Sequence, residues 1–167
     1  MNSAATRWIR DLKLNPHPEG GYFREIYRSD ILLPHLSLPL RFHGDRHSST
    51  SIYFLLPAGH FSAFHRLAAD EIWHFYTGHT LEIFELEQSG NLTIHKLGKN
   101  IPAGESFQVI IPAGNWFAAR VAAEGEFTLA GCTVSPGFHF DDFEMAERSK
   151  LVNAFPLHAT VITAFTR

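Results

Sequence analysis

The residues best suited to chemistry in this chain are a histidine and a glutamate set in Gly59-x5-His65-x-Leu67-x3-Glu71-x6-Gly78. An imidazole held by a carboxylate has a fixed tautomer and raised basicity, which is the arrangement of an oriented general base. Side chains of a strand alternate with period two, so His65 shares a face with Ala63 and Leu67, and Glu71 with Trp73 and Phe75. The short connection between them predicts adjacent antiparallel strands, with His65 and Glu71 both inward and within hydrogen-bond reach. Burying these two groups is costly unless they are paired or used, so a catalytic pair is expected over a merely satisfied one. His74 falls on the opposite parity and is expected on the outer face.

Other residues suit the binding of a small molecule. Arg24 shares one face of Tyr22–Arg28 with Arg28, and a wall arginine can clamp a carboxylate or phosphate through two parallel bonds. Trp73, Trp116 and Phe117 are expected as aromatic walls for a sugar ring or a base, and Phe107 as barrel filling. Tyr53 and Tyr22 are the candidates for an opposing acid. No G-x-x-x-x-G-K-[ST], G-x-G-x-x-G or G-x-S-x-G element occurs, so nucleotide-binding loops and a nucleophile elbow are not indicated.

The first motif, together with Gly104 and Pro112-Ala113-Gly114-Asn115-Trp116-Phe117, resembles the two motifs of the cupin superfamily. That likeness implies a metal-binding set, yet Leu67 stands where its second histidine belongs, Phe117 where its last histidine belongs, and Val121 where its asparagine belongs. Leu14-Asn15-Pro16-His17-Pro18-Glu19-Gly20-Gly21-Tyr22-Phe23-Arg24-Glu25, Ser62-Ala63-Phe64-His65-Arg66 and Asp70-Glu71-Ile72-Trp73-His74-Phe75 are similar to the Cupin_5 (DUF985) family in particular. The resemblance implies a jelly-roll β-barrel over nearly the whole chain. With two of four ligands apolar, no bound metal and no other cofactor are expected.

The elements that must position these residues are short. Ser3 to Leu14 carries Trp8, Ile9 and Leu12 on one helical face, ended by Asn15-Pro16. Pro16-His17-Pro18-Glu19-Gly20-Gly21 reads as a rigid turn. Strands are predicted at 22–28, 51–56, 61–67, 71–76, 81–86, 92–96, 107–111, 116–121 and 127–134, with Pro/Gly-rich breakers between them. Residues 30–49 read as a loop too polar and Pro-rich for the core, serving as a lid or interface arm. Asp142 is expected to cap a helix beginning near Glu144, and Ser149 another that Pro156 stops, followed by helical spacing at Val161, Ile162 and Phe165. The fold class is therefore all-β dominated, a single domain over 1–167. Its barrel occupies about 20–140, with a short N-terminal helix and a C-terminal helical segment at about 141–167.

Composition bounds the partners. A net charge of −3 without any basic run excludes a nucleic-acid or membrane-surface footprint. Cys132 is the sole cysteine, expected as a buried inert thiol in a cytoplasmic protein. Of the eleven histidines, His17, His35, His43 and His47 lie in turn-like contexts and are expected to be solvated. Open strand edges predict a homodimer or higher homo-oligomer through the N-terminal region.

Three functions are compatible with this reading. One is a metal-independent sugar or sugar-nucleotide epimerase or isomerase, with His65 as base, Glu71 as its orienter and Arg24 as anion clamp. A second is a metabolite-binding module without turnover. The third is a metal-dependent dioxygenase or isomerase with a degenerate ligand set.

Overall fold

Alternating apolar and polar residues between Pro/Gly-rich turns fold, among the described residues, as thirteen strands, all paired antiparallel, with three short α-helices. The structure is a computed structural model and describes residues 3–167. In chain order the elements are α1 (Ala4–Asp11), β1 (Asn15–Pro16), β2 (Tyr22–Arg28), β3 (Leu32–Leu33), β4 (Arg46–His47), β5 (Thr50–Pro57), β6 (Phe61–Leu67) and β7 (Asp70–Gly78). They continue as β8 (Leu81–Leu86), β9 (Leu92–Leu97), β10 (Gln108–Ile111), β11 (Trp116–Val121), β12 (Phe127–Ser135), β13 (Phe143–Met145), α2 (Arg148–Ala154) and α3 (Ala159–Ala164). Each of the nine predicted strands is present.

Six strands in the order β1-β2-β5-β12-β7-β10 face five in the order β13-β6-β11-β8-β9. The two sheets are not closed into one barrel, but they form the sandwich of a jelly roll. Their inner faces meet in a core that includes Phe54, Trp73, Ile83, Leu97, Ile111 and Phe117. Fully burying such a side chain contributes roughly 2 kcal/mol or more. The outer face of the five-stranded sheet is covered by the C-terminal helices, which bring Leu151, Ile162 and Phe165 onto Phe64 and Phe84. The outer face of the six-stranded sheet is covered at one end by α1, with Ala5, Ile9 and Leu12 on Leu55 and Leu129. Ser3 caps that helix through its side-chain oxygen.

Three expectations are corrected. Segment 30–49 is no featureless loop: β3 and β4 pair as a ribbon, and Phe42 is wholly buried among Leu67, Ala69 and Val134. Its charged partner explains why: Arg46 makes a two-point bond to Asp142, Nη2 to Oδ1 at 2.6 Å and Nε to Oδ2, both side chains being buried. Asp142 thereby has no helix to cap, and 143–145 pairs with β6 as β13 because Phe143 and Met145 meet Leu67 and His65 across the ladder. The following helix begins at Arg148 with no side-chain cap from Glu147, so Ser149 lies inside it.

Candidate functional site

The connection Ala68-Ala69 carries the chain from one sheet to the other, and this decides the site. β6 belongs to the five-stranded sheet and β7 to the six-stranded one, so His65 and Glu71 face each other across the sandwich instead of along a hairpin. No bond joins them there: the His65 nitrogens go to Glu19 and to the Ala63 carbonyl, and Glu71 Oε2 has no partner among the described residues. The predicted inward orientation holds for both; the predicted His65–Glu71 hydrogen bond does not form.

His65 takes its carboxylate from the turn after β1. In that turn the His17 N–H bonds the Gly21 carbonyl at 3.0 Å and the Gly20 N–H bonds the His17 carbonyl at 3.0 Å. Gly20 and Gly21 have φ of +117° and +71°, and a Cβ on Gly20 would lie 2.2 Å from the Phe61 carbonyl oxygen, so only glycine fits there. Arg167 holds the outside of the turn through the carbonyls of Pro18 (3.0 Å) and Glu19 (3.1 Å). The Glu19 side chain is thereby pushed inward and buried.

Three groups converge on it. Glu19 Oε2 lies 3.2 Å from His65 Nε2 and 3.2 Å from His17 Nδ1, while Oε1 accepts from the Ser62 hydroxyl at 2.8 Å. A longer contact of 3.4 Å from the Glu19 amide reaches the same His17 nitrogen. His65 Nδ1 donates to the Ala63 carbonyl at 2.8 Å. A β-bulge makes this possible: the β6–β11 register shifts between Ser62 and His65, and the Ala63 N–H leaves the ladder for the Glu19 carbonyl. Ser62 thus points inward with His65, against its parity in an unbroken strand.

Burial works against a charged Glu19, but the charges of His65 and His17 with the hydrogen bonds of His17 and Ser62 outweigh it and hold the carboxyl below its ordinary range. Burial also pushes the His65 imidazole down, opposed by Glu19 and the Ala63 carbonyl. Both His65 nitrogens face oxygens, so one proton is shared between Nε2 and Oε2 and belongs to the pair. Glu71 behaves oppositely. Burial, reinforced by the negative charge of Glu19, pushes its carboxyl up to about 8, so it is largely protonated at neutral pH. Burial first, then the Glu71 and Glu19 carboxyls, pushes the neighbouring Cys132 thiol up, consistent with an unreactive cysteine.

A cavity of about 470 Å³ opens between these groups. Its floor is His17, Glu19, His65, Glu71 and Trp73, and its walls include Phe54, Phe138, Phe140 and Phe143. His17 sits against Phe23 with ring centres 4.6 Å apart. The ribbon 32–47 closes one side through Leu32, Asp45 and His47. His17 and His47 are accordingly pocket residues and not solvated turn residues; His35 and His43 are exposed.

The structure divides the predicted binding residues. Trp73 lines the cavity with Glu71. Arg24 is on the outer sheet face, 5.8 Å from the Tyr53 ring, and Tyr53 packs edge-on to Tyr76. A bulge at Ile26 switches parity along β2, so Arg28 and not Arg24 reaches the cavity wall. Trp116 lies outside the five-stranded sheet under the Arg66 guanidinium at 4.5 Å. Its neighbour Phe117 must then point inward, where it backs His65 with ring centres 4.1 Å apart and lies behind the cavity wall. His74 faces outward as expected, bonded to Thr133 (3.0 Å) and Gln108 (3.1 Å). Sequence reasoning missed His17 and Glu19 as functional; their signal was the run Pro16-His17-Pro18-Glu19-Gly20-Gly21, read only as a turn.

The metal site that the fold could hold does not fit these residues. Leu67 is a hydrocarbon on the cavity wall, Phe117 packs behind His65 with its ring tilted by 58°, and both His65 nitrogens are already bonded. Among the described residues no group of three or more His, Cys, Asp or Glu side chains is arranged to hold an ion. No helix among them is long and apolar enough to cross a membrane.

Comparison with known proteins agrees with the architecture. The model of the family Cupin_5, cupin superfamily (DUF985), matches residues 6–146. An uncharacterised protein of Saccharomyces cerevisiae is 29% identical over 150 residues, 84% of this chain and 74% of that protein. A solved protein from Shewanella oneidensis is 40% identical with a TM-score of 0.87, covering 100% of this chain and 99% of that one. A hypothetical protein from Leishmania major is 32% identical with a TM-score of 0.89, covering 98% and 99%. Oxalate decarboxylase from Bacillus subtilis shares the fold alone, at 15% identity and a TM-score of 0.55 over 90% of this chain and 36% of its own. With its two facing sheets and a family match across most of its length, the chain belongs to the DUF985 family of the cupin superfamily.

Proposed function

We propose that the cavity binds a small metabolite and moves a proton next to a carbonyl group, as an isomerase or epimerase does. The observation that carries this reading is the opposition of two differently tuned carboxyls across one cavity. Glu19 is ionised and holds imidazoles; Glu71 is protonated and faces them. Titratable groups whose surroundings push their pKa values apart are the usual form of an acid–base pair.

Within that reading the roles differ from those the sequence suggested. His65 has no free nitrogen, so it serves to hold Glu19. His17, with Nδ1 toward Glu19, makes no hydrogen bond through Nε2 to any described residue, and that nitrogen is the base. Glu71 is the acid on the opposite sheet. A sugar nucleotide is less well supported than a small neutral metabolite, because Arg24, the expected anion clamp, lies on the other face.

Incubating the protein in heavy water with a panel of small aldoses, ketoses and cyclic ketones tests this through deuterium incorporation at carbon, read by mass spectrometry. Incorporation above the uncatalysed rate is expected for at least one member, falling about 100-fold or more in His17→Gln and in Glu71→Gln. A compound that binds in the cavity with no incorporation under any of these conditions would leave a binding module without turnover.

A further inference from the structure

The innermost unsatisfied groups of the cavity sit side by side on β7. Trp73 Nε1 and Glu71 Oε2 are both buried, and neither makes a well-aligned hydrogen bond to a described residue; the indole N–H lies near enough to the Glu71 carboxyl to draw its pKa down a little, without satisfying it. Positions i and i+2 of a strand share a face, so both aim into the same space, and both line the cavity. A buried N–H without an acceptor is rare in native proteins, and a ligand is one of the few things that supplies one.

We propose that Trp73 and Glu71 together cradle the carbonyl oxygen of the substrate, and that this substrate is an uncharged cyclic carbonyl compound, not a phosphorylated or nucleotide-linked one. The inference rests on the acid–base reading above and names its substrate class. An indole N–H is a donor only, so it excludes an ammonium head group and calls for an acceptor. The charges of the wall argue against an anion. Beside the protonated Glu71, three further acidic residues, Glu19, Glu25 and Asp45, line the cavity, and Arg28 is the one lysine or arginine among its lining residues. The Arg28 guanidinium is already engaged by Glu25 at 2.6 and 3.0 Å and by the Phe138 carbonyl at 3.2 Å. Phosphate recognition needs free donors of that kind. Above the cradle, Phe138, Phe140 and Phe143 stand edge-on with ring centres 5.0 to 6.1 Å apart, an apolar enclosure for a flat ring body.

The chemistry balances without any further reactant. The His17 imidazole takes a proton from the carbon beside the carbonyl. The pair it leaves forms the C=C bond, and the carbonyl π pair moves to oxygen, which receives the Glu71 proton. Reversal, with His17 returning a proton to the same carbon and Glu71 retaking its own, exchanges that hydrogen with solvent; where a second C=C is conjugated with the enol, delivery by His17 to its far carbon re-forms the carbonyl and shifts the double bond. Two donors fixed at the oxygen stabilise the charge that develops there.

The test uses the full-length protein labelled with 15N at its indoles, titrated with three probes of matched shape: 2-tetralone, 2-naphthoate and 2-naphthyl phosphate. The Trp73 indole N–H is assigned by its loss in Trp73→Phe. Expected is a shift of that resonance by 2-tetralone, with affinity at least about tenfold above either anion. Glu71→Gln, which keeps a donor, should hold affinity within about threefold, and Glu71→Leu should lose about tenfold. If Glu71→Leu does not fold, the loss of affinity in Trp73→Phe serves in its place. Equal or tighter binding of an anion, an unmoved Trp73 resonance, or no binding of 2-tetralone overturns the proposal. Bound 2-tetralone whose deuterium exchange is no faster than in solution overturns the acid–base reading while leaving the carbonyl cradle standing.

Discussion

Two glutamates on the inside of this sandwich hold histidines, and only one of them belongs to a cavity. Glu19 bridges His17 and His65 at the floor of the pocket. Glu85, on the inner face of β8, accepts from Asn115 at 2.7 Å and lies 2.6 Å from His95 Nε2 on the edge strand β9. Both carboxylates are buried and their bond lengths are unexceptional. The difference lies in what surrounds them. Around Glu85 both oxygens are matched, the residue is not among those lining the cavity, and His95 remains partly exposed to water. Around Glu19 the array is followed by empty space and then by three buried polar atoms without partners, on Glu71, Trp73 and His47. Residue types that permit acid–base chemistry are thus common to both clusters, while the unsatisfied groups and the void are particular to one. A polar cluster fully paired with itself contributes to the fold; a cluster left incomplete beside a cavity awaits a ligand.

Stability measurements on matched variants break or sharpen this contrast, the largest effect coming first. Glu19→Gln should cost on the order of 3 kcal/mol, because two buried imidazoles and a buried hydroxyl lose their common acceptor. Urea unfolding at pH 7 reads it; a loss no greater than that of Glu85→Gln would mean that the two clusters are alike.

Glu71→Gln should act in the opposite direction, stabilising by on the order of 2 kcal/mol at pH 8 and by little at pH 4. The sign follows from a folded-state pKa raised from 4.5 to about 8. Below 4.5 both states hold the proton; between 4.5 and 8 the unfolded chain releases it and the folded one does not, so stability falls as pH rises. The groups facing Glu71 are Glu19 from the β1–β2 turn, which adds to the effect of burial, and Cys132 from β12 and Trp73 beside it, which pull the carboxyl back down without cancelling that effect. Glu19 has the reverse linkage: its contribution is present above its ordinary value of 4.5 and lost as pH falls below it. A wild-type stability profile flat between pH 5 and 8 and unchanged by Glu71→Gln would show that Glu71 ionises freely.

Glu85→Gln should cost only about 1 kcal/mol, since half-exposed His95 can turn to water and Asn115 can still find an acceptor. The smallest effect expected is that of a chelator. Dialysis against EDTA should leave the melting temperature within about 1 °C, because among the described residues no three His, Cys, Asp or Glu side chains are arranged to hold an ion. Elemental analysis showing about one transition metal per chain, lost in His65→Ala, would reverse that expectation.

The strands and much of their facing were legible in the chain. Alternation placed Glu71 and Trp73 inward and His74 outward, and the breakers bounded all nine long strands, because those signals are local. The expected hairpin between His65 and Glu71 failed because a short connection fits a link between facing sheets as well as a turn within one. Two bulges carried no sequence mark: the one before His65 turned Ser62 inward, and the one at Ile26 exchanged Arg24 for Arg28. Segment 30–49 misled through its average polarity, since one phenylalanine and one Arg46–Asp142 pair were enough to anchor it.

What the sequence alone determined, then, was the jelly-roll class, the inward histidine and glutamate, and the loss of two family ligands at Leu67 and Phe117. Those properties depend on residue type and on spacing along one strand. Only the tertiary structure decided that Glu19, and not Glu71, holds His65, and that Glu71 stays protonated on the opposite wall. The physical reason is distance between sheets: partners are chosen across a ~10 Å gap that strand periodicity does not describe, and a carboxyl's charge depends on how deeply the assembled fold buries it.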